Sequence, residues 1–272
     1  MPAPVKPGTK VQKDLRAAFA VNGKANNNLQ RSIFIGYVIA GVIFWLASPS
    51  KVLPSPIDVL YAFPHLWNEG LGVELMTSLE LNLHAIALTV LISLLVAYST
   101  AIPALRPVAT FFSTFRFNGF VGLPLLLTFL IGDQHWIKVS LLVIAMSVFT
   151  IPAIVAAIEA IPQEAYDHGR VLRMSEWRVL WEVVIVGRFH EVIDIILTNI
   201  AIGWTMLPMV EGIFRAEGGI GVMILTENKY FKLESVYAII ITMMLVGMTI
   251  DYIGRTIKRI LCPYAFINTE RK

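Results

Sequence analysis

Charge is scarce in this chain. Only 15% of its 272 residues are Asp, Glu, Lys or Arg, against about 25% in ordinary soluble domains. With 56% apolar residues and a mean hydropathy of +0.69, most of the polypeptide must be solvated by lipid or by itself. The chain has one cysteine, Cys262. That excludes an internal disulfide and argues against a Cys-ligated metal centre, and at a helix end the residue reads as apolar filler. A net charge of +3 is too small to point to nucleic acid. The phosphate-cradling loop of nucleotide-binding proteins is also missing: Gly23-Lys24 has Ala18 where the first glycine belongs and Ala25 where Ser or Thr belongs. His190-Glu191 opens a zinc-protease-like string but meets Asp194 instead of a second histidine. No Gly-x-Ser-x-Gly elbow occurs. Nothing argues for an enzyme active site, and no cofactor is expected in this chain.

Long apolar runs are what the chain does have. A helix needs about 20 apolar residues to cross a hydrocarbon core about 30 Å thick. The candidate spans are Ser32–Ser48, Leu79–Ala104, Phe117–Ile131, Trp136–Ile158, Val183–Phe214 and Val236–Ile257. The third is short unless it recruits Phe111, Phe112 and Phe115, and Gly119, Gly122 and Pro124 interrupt it. Broken helices at membrane depth are tolerated where they line a cavity or are buried in protein. Lys and Arg collect on the cytoplasmic side of membrane proteins. With six spans and both termini cytoplasmic, seventeen of the 22 basic residues fall inside, and five (Lys51, Lys138, Arg215, Lys229, Lys232) fall outside. The expected architecture is an all-α membrane protein in a cell (inner or plasma) membrane. A polar, basic N-terminal tail spans residues 1–30, the six-helix domain 31–262, and a short cytoplasmic tail 263–272. The N-terminal apolar run lacks a clean small-x-small cleavage site, so it reads as an uncleaved first helix.

Polar residues inside spans attract functional suspicion. Glu80 and His84 lie one helical turn apart, so they either pair with each other or place Glu80 in the headgroup layer. Asp251 and Arg255 form an i,i+4 pair and read as structural. Asn199, mid-span, suits either helix–helix hydrogen bonding or a pathway lining. Glu211, beyond Gly203-Trp204, either lines a pathway or caps the membrane exit.

Between the fourth and fifth spans lies a charged, helix-forming stretch at residues 159–182, marked as cytoplasmic by Arg170, Arg173 and Arg178, with Arg188 just beyond. A structured cytoplasmic loop late in a small polytopic protein is where a membrane subunit receives force from a soluble partner. Arg170-Val171-Leu172-Arg173-Met174-Ser175-Glu176-Trp177 resembles the Arg-x-Leu-Gly-Ala-Ser-x-Trp signature of the permease subunits of type I ABC importers. Three further places add to the likeness: Leu53-Pro54-Ser55-Pro56 after the first span, Gly203-Trp204 with Glu211, and Glu217-Gly218-Gly219-Ile220-Gly221 beyond the fifth. The branch it resembles most serves nitrate, bicarbonate, taurine and alkanesulfonates.

The resemblance implies a type I importer permease fold. It also implies two ATP-binding subunits that hold ATP and Mg, a second permease copy, an external solute-binding protein, and transport of a small polar solute of anionic class. It implies as well that Glu164, Ala165, Tyr166, Asp167, His168, Gly169, Arg170, Leu172 and Arg173 couple to the ATPase. Tyr166 and Leu172 would be apolar anchors, and Asp167, Arg170 and Arg173 polar contacts. Glu80, His84, Asn199, Trp204 and Glu211 are the candidates to line a pathway. The chain departs from the pattern at Arg173, where the family has glycine, and at Val186, where it has proline. Arg takes positive φ less cheaply than glycine. The rival readings are a secondary transporter, which wants an inverted repeat and matched intramembrane acids, and a non-transporting scaffold.

Overall fold

In the computed structural model, which describes residues 27–47, 54–115 and 122–263, every regular element is helical and no strand forms among the described residues. Nearly all of the basic N-terminal tail, most of the C-terminal tail, Leu53 and the glycine-bearing start of the third expected span lie outside those residues. The chain divides into two compact units between Tyr61 and Ala62.

The first unit carries α1 (Asn27–Ala47) and the start of α2 (Pro56–Asn68). Pro54 and Ser55 anchor both. The Trp45 indole N–H donates to the Pro54 carbonyl at 3.0 Å. Ser55 accepts from the Asp58 N–H at 3.2 Å and donates to the Asp58 carboxylate at 2.7 Å. This reciprocal cap, with Pro56 at the first helical position, is a strong helix-start arrangement.

Among the described residues, the second unit contains four helices long and apolar enough to cross a membrane: α3 (Leu71–Ser99), α6 (Gln134–Glu159), α9 (Phe189–Ile213) and α11 (Leu233–Leu261). Shorter helices join them: α4 (Arg106–Phe115), α5 (Leu123–Leu130), α7 (Gln163–Val171), α8 (Glu176–Val179) and α10 (Ile220–Lys229). The bundle is built around α6, the most buried of the four long helices. One side of α6 meets Leu81 and Ala85 of α3, and the core is completed by Leu127 of α5 and by Trp204, Leu207 and Val210 of α9. Towards the other end of the bundle, Ala97, Ile154 and Val192 form a second cluster.

Small and hydroxyl-bearing residues set these contacts, as expected where lipid removes the hydrophobic drive between helices and close packing must supply it. The buried face of α3 runs Ser78, Asn82, Ala85, Thr89, Ser93, Ala97. On α9, Gly203 lies against Met146 of α6, and a Cβ there would come within 2.7 Å of the sulfur. Gly247 and Gly254 of α11 receive Trp204 and Leu197 of α9.

Three expected spans shift in register. Leu79–Ala104 becomes Leu71–Ser99, because Gly70 starts the helix at φ 102° and Pro103 follows its end. Val183–Phe214 begins only at Phe189: residues Leu180–Val186 form a π-helical turn, and Gly187-Arg188 separates it from α9. Arg188 is held there by Glu191 at 2.5 Å and by the Ala160 carbonyl at 3.3 Å. The described part of the third expected span is α5, whose eight residues reach about 12 Å, short of a crossing on their own.

Candidate functional site

Two ends of the second unit carry the polar chemistry. At one end, α7 and α8 fold into a compact helical hairpin. Gly169 makes this possible: it is buried, and a Cβ there would come within 2.9 Å of the Val179 methyl. The chain reverses at Arg173, which takes φ 56°. The Met174 N–H donates to the Gly169 carbonyl at 3.1 Å and the Arg173 N–H to Arg170 at 2.9 Å. This is the Schellman closure, with arginine in the left-handed position that usually takes glycine. Arginine is therefore accommodated in the turn, at a cost in backbone energy.

Arg170 then locks the hairpin. Its guanidinium donates to both Glu176 oxygens at 3.1 and 3.3 Å and to Asp167 at 3.2 Å. The hydrogen bonds and charge of Glu176 push the Arg170 pKa up, with Asp167 adding to the effect. Arg170 and Asp167, expected as outward contacts, are thus engaged with the loop itself. Leu172 is 66% exposed, and Val171 and Trp177 stand out beside it. Glu164, His168 and the Arg173 side chain are exposed, while Ala165 and Tyr166 are half-buried. Tyr166 faces a cavity of about 880 Å³ between the hairpin, α4 and the end of α6. Nearby, the Lys258 ammonium of α11 lies 2.5 and 2.6 Å from the two Asp194 oxygens of α9.

At the opposite end, the turn before α10 is held by acids reaching out of the long helices. Gly218 and Gly219 have φ 77° and 109°, conformations open essentially to glycine. The Gly219 N–H donates to the Glu74 carboxylate of α3. The Ile220 N–H donates to the Ser78 hydroxyl at 2.9 Å and the Gly221 N–H to Glu211 of α9 at 2.8 Å. The Ser78 hydroxyl donates in turn to Glu211 at 2.6 Å. These N–H groups are the unpaired donors of the α10 N-terminus, where negative charge is favoured. Glu211 is fully buried, and this use accounts for an acid inside an apolar helix.

Beside the turn sits a basic cluster. Lys138 of α6, only 1% exposed, has its ammonium 2.5 Å from Glu217. His135 Nδ1 lies 3.6 Å from the same carboxylate oxygen. The His84 ring of α3 stands edge-on to His135, with centroids 5.5 Å apart. An isolated ammonium buried this deeply would cost several kcal/mol, so Glu217 is its required counter-ion.

The other expected pathway residues scatter. Glu80 is exposed and makes no ion pair among the described residues; of the two readings, pairing with His84 or a place in the headgroup layer, the first is not realised, and His84 instead meets His135. Trp204 lies in the core and donates to the Met243 carbonyl at 3.0 Å. Asn199 is buried, with its amide N–H on Ile195 at 2.8 Å and its Oδ1 unbonded. Asp251 and Arg255 pair at 2.7 Å as expected. Hydropathy and residue spacing do not single out Glu74, Ser78, Lys138 or Glu217 as site residues. A lysine one turn inside an otherwise apolar helix of 26 residues was the available signal.

No protein-family model matches the chain. It is 24% identical over 143 residues to the taurine transport system permease protein TauC of Escherichia coli (strain K12), covering 52% of this chain and 51% of that protein. The chain thus matches about half the length of this curated relative. Among solved structures, it superposes on a chain from an amino acid ABC transporter crystallised with histidines. The TM-score is 0.60 at 17% identity, over 71% of this chain and 94% of that one. This chain therefore shares its helical fold with a chain of an ABC transporter, and about half of it is similar in sequence to a permease protein.

Proposed function

We propose that the chain is the membrane subunit of an ATP-driven importer of a small polar solute, an anion or a solute with an anionic group. Two copies would enclose the pathway in the cell membrane, with an ATP-binding subunit beneath each and a solute-binding protein on the outer face. The observation that carries the reading is the conjunction of permease homology and fold with the hairpin at residues 163–179. That hairpin is rigidified internally by Gly169 and Arg170 and presents Val171, Leu172 and Trp177 outward. An apolar ridge on a stiff, charged-rimmed loop suits insertion into a groove on a partner, with a few apolar anchors supplying most of the affinity. Nucleotide-driven movement of the partner changes the permease only through contacts that differ between the two states, so stiffness in the loop is what transmits the motion.

The test is co-purification. The chain, expressed with the proteins of its neighbouring reading frames, should bring down an ATP-binding subunit stoichiometrically. Leu172→Asp should lower solute-stimulated ATP hydrolysis about tenfold, the effect of losing roughly 1.4 kcal/mol at an anchor. Uptake driven by this chain with no ATP-binding subunit present would instead support a secondary transporter.

A further inference from the structure

We infer that His84, His135 and Lys138 form a binding site for a small monovalent oxyanion, a carboxylate or sulfonate, and that Glu217 is its tethered stand-in. The inference deepens the importer reading and rests on it.

Lys138 is the one ammonium of the cluster, and it is fixed on α6 with almost no exposure. Its ammonium pairs directly with one carboxylate, which comes not from a long helix but from the turn between α9 and α10, while the buried Glu211 lies within electrostatic reach. The two imidazoles bracket that carboxylate: His135 lies 3.6 Å from Glu217, and His84 packs against His135 from α3. The site is not sealed. Glu217 is about one-third exposed and His84 is exposed, so a small solute reaches the cluster without unfolding a helix.

The balance of charge selects the ligand. Lys138 and Glu217 sum to zero. Replacing the Glu217 carboxylate with one external oxyanion preserves that sum and keeps the buried ammonium paired, whereas a cation or a neutral solute leaves it without a directly bonded counter-ion. The imidazole N–H groups add donors for the remaining oxygens. Glu217 is followed directly by Gly218 and Gly219, both at positive φ, so the residue that must yield stands next to the least restricted backbone in the turn. Glu74, Ser78 and Glu211 hold the turn from Gly219 onward and are not needed for the exchange. A low-affinity transit site with a built-in competitor suits a permease, since a solute held too tightly would not leave.

The experiment uses the full chain purified in detergent, with its thermal midpoint followed during titration at constant ionic strength. The probes are sodium methanesulfonate and sodium acetate, with sodium chloride and tetramethylammonium chloride as controls. Wild type should show a weak, saturable rise with the two oxyanions. Glu217→Gln, which removes the competing carboxylate, should lower the half-saturating concentration at least tenfold. Lys138→Met should abolish the response, Lys138→Arg should retain it, and His135→Asn should weaken it. A larger response to methanesulfonate than to acetate would assign the site to sulfonates, and the reverse to carboxylates. Equal half-saturation in wild type and Glu217→Gln overturns the inference, as does a full response in Lys138→Met. If Lys138→Met does not fold, Glu217→Gln and His135→Asn decide the matter. A missing oxyanion response alongside stoichiometric capture of an ATP-binding subunit would refute this site and leave the importer reading intact.

Discussion

Arg173 shows how a single residue departs from a pattern without breaking it. The left-handed conformation costs a non-glycine residue about 1–2 kcal/mol, yet Arg173 adopts it at φ 56° because the Met174 and Arg173 N–H groups both find carbonyls across the turn. Phe231 does the same at the end of α10, also at φ 56°, with the Lys232 N–H on the Glu227 carbonyl at 3.1 Å. Arg173→Gly should therefore raise the stability of the folded chain by about 1 kcal/mol, allowing for the extra freedom glycine gains in the unfolded state. A thermal midpoint in detergent that falls, or does not move, would contradict this. Arg170 carries a further lesson. Its charge and position suggest an outward contact, but Glu176 lies six residues on, across a turn that brings it back. That pairing depends on the reversal at Arg173, which no helical spacing rule would reveal.

At the scale of helices, the existence of each long element is written in its apolar length, whereas its ends are not. Trp136–Ile158 was legible to within two residues at its start and one at its end, because Asp133 caps the start by accepting from the His135 N–H at 2.8 Å. The helix containing Glu74 starts at Leu71, ahead of the apolar run Leu79–Ala104 that marks it in the sequence. The acid is tolerated since it receives an N–H from the distant Gly219. Packing between helices rests on Gly203, where α9 approaches α6. Gly203→Val would drive a methyl into Met146, whose sulfur lies 2.7 Å from the modified position, and overpacking of this kind costs about 1–3 kcal/mol. The control is Gly36→Val on α1, where a Cβ would meet nothing within 4 Å. The first substitution should lower the thermal midpoint by several degrees and the second should leave it nearly unchanged; equal effects would show that the α9–α6 contact is not tight.

For the whole molecule, the distribution of basic residues makes a prediction about orientation. Arg170, Arg173 and Arg178 in the hairpin, and Arg255, Lys258 and Arg259 at the end of α11, lie towards the same end as the Lys258–Asp194 pair. The Glu217–Gly221 turn lies at the other. Reporter fusions within residues 163–180 should be cytoplasmic, and fusions near Ala216 external; a reversed result would remove the hairpin from any ATP-binding partner.

Composition and apolar run length were enough to establish a helical membrane chain, because burial in lipid demands long stretches whose backbone bonds are satisfied within the helix. Local order of residues was enough to mark the loop, since its charges, its Arg170–Trp177 string and its position between two spans are all sequence-adjacent. The clamp of Glu74, Ser78 and Glu211 on the turn, and the meeting of His84, His135, Lys138 and Glu217, belong to the tertiary structure alone. Their members are drawn from three long helices and a turn, separated by tens to more than a hundred residues. Hydropathy registers each as an isolated polar interruption; only the packing of α3, α6 and α9 brings a buried charge to the one partner that makes it tolerable.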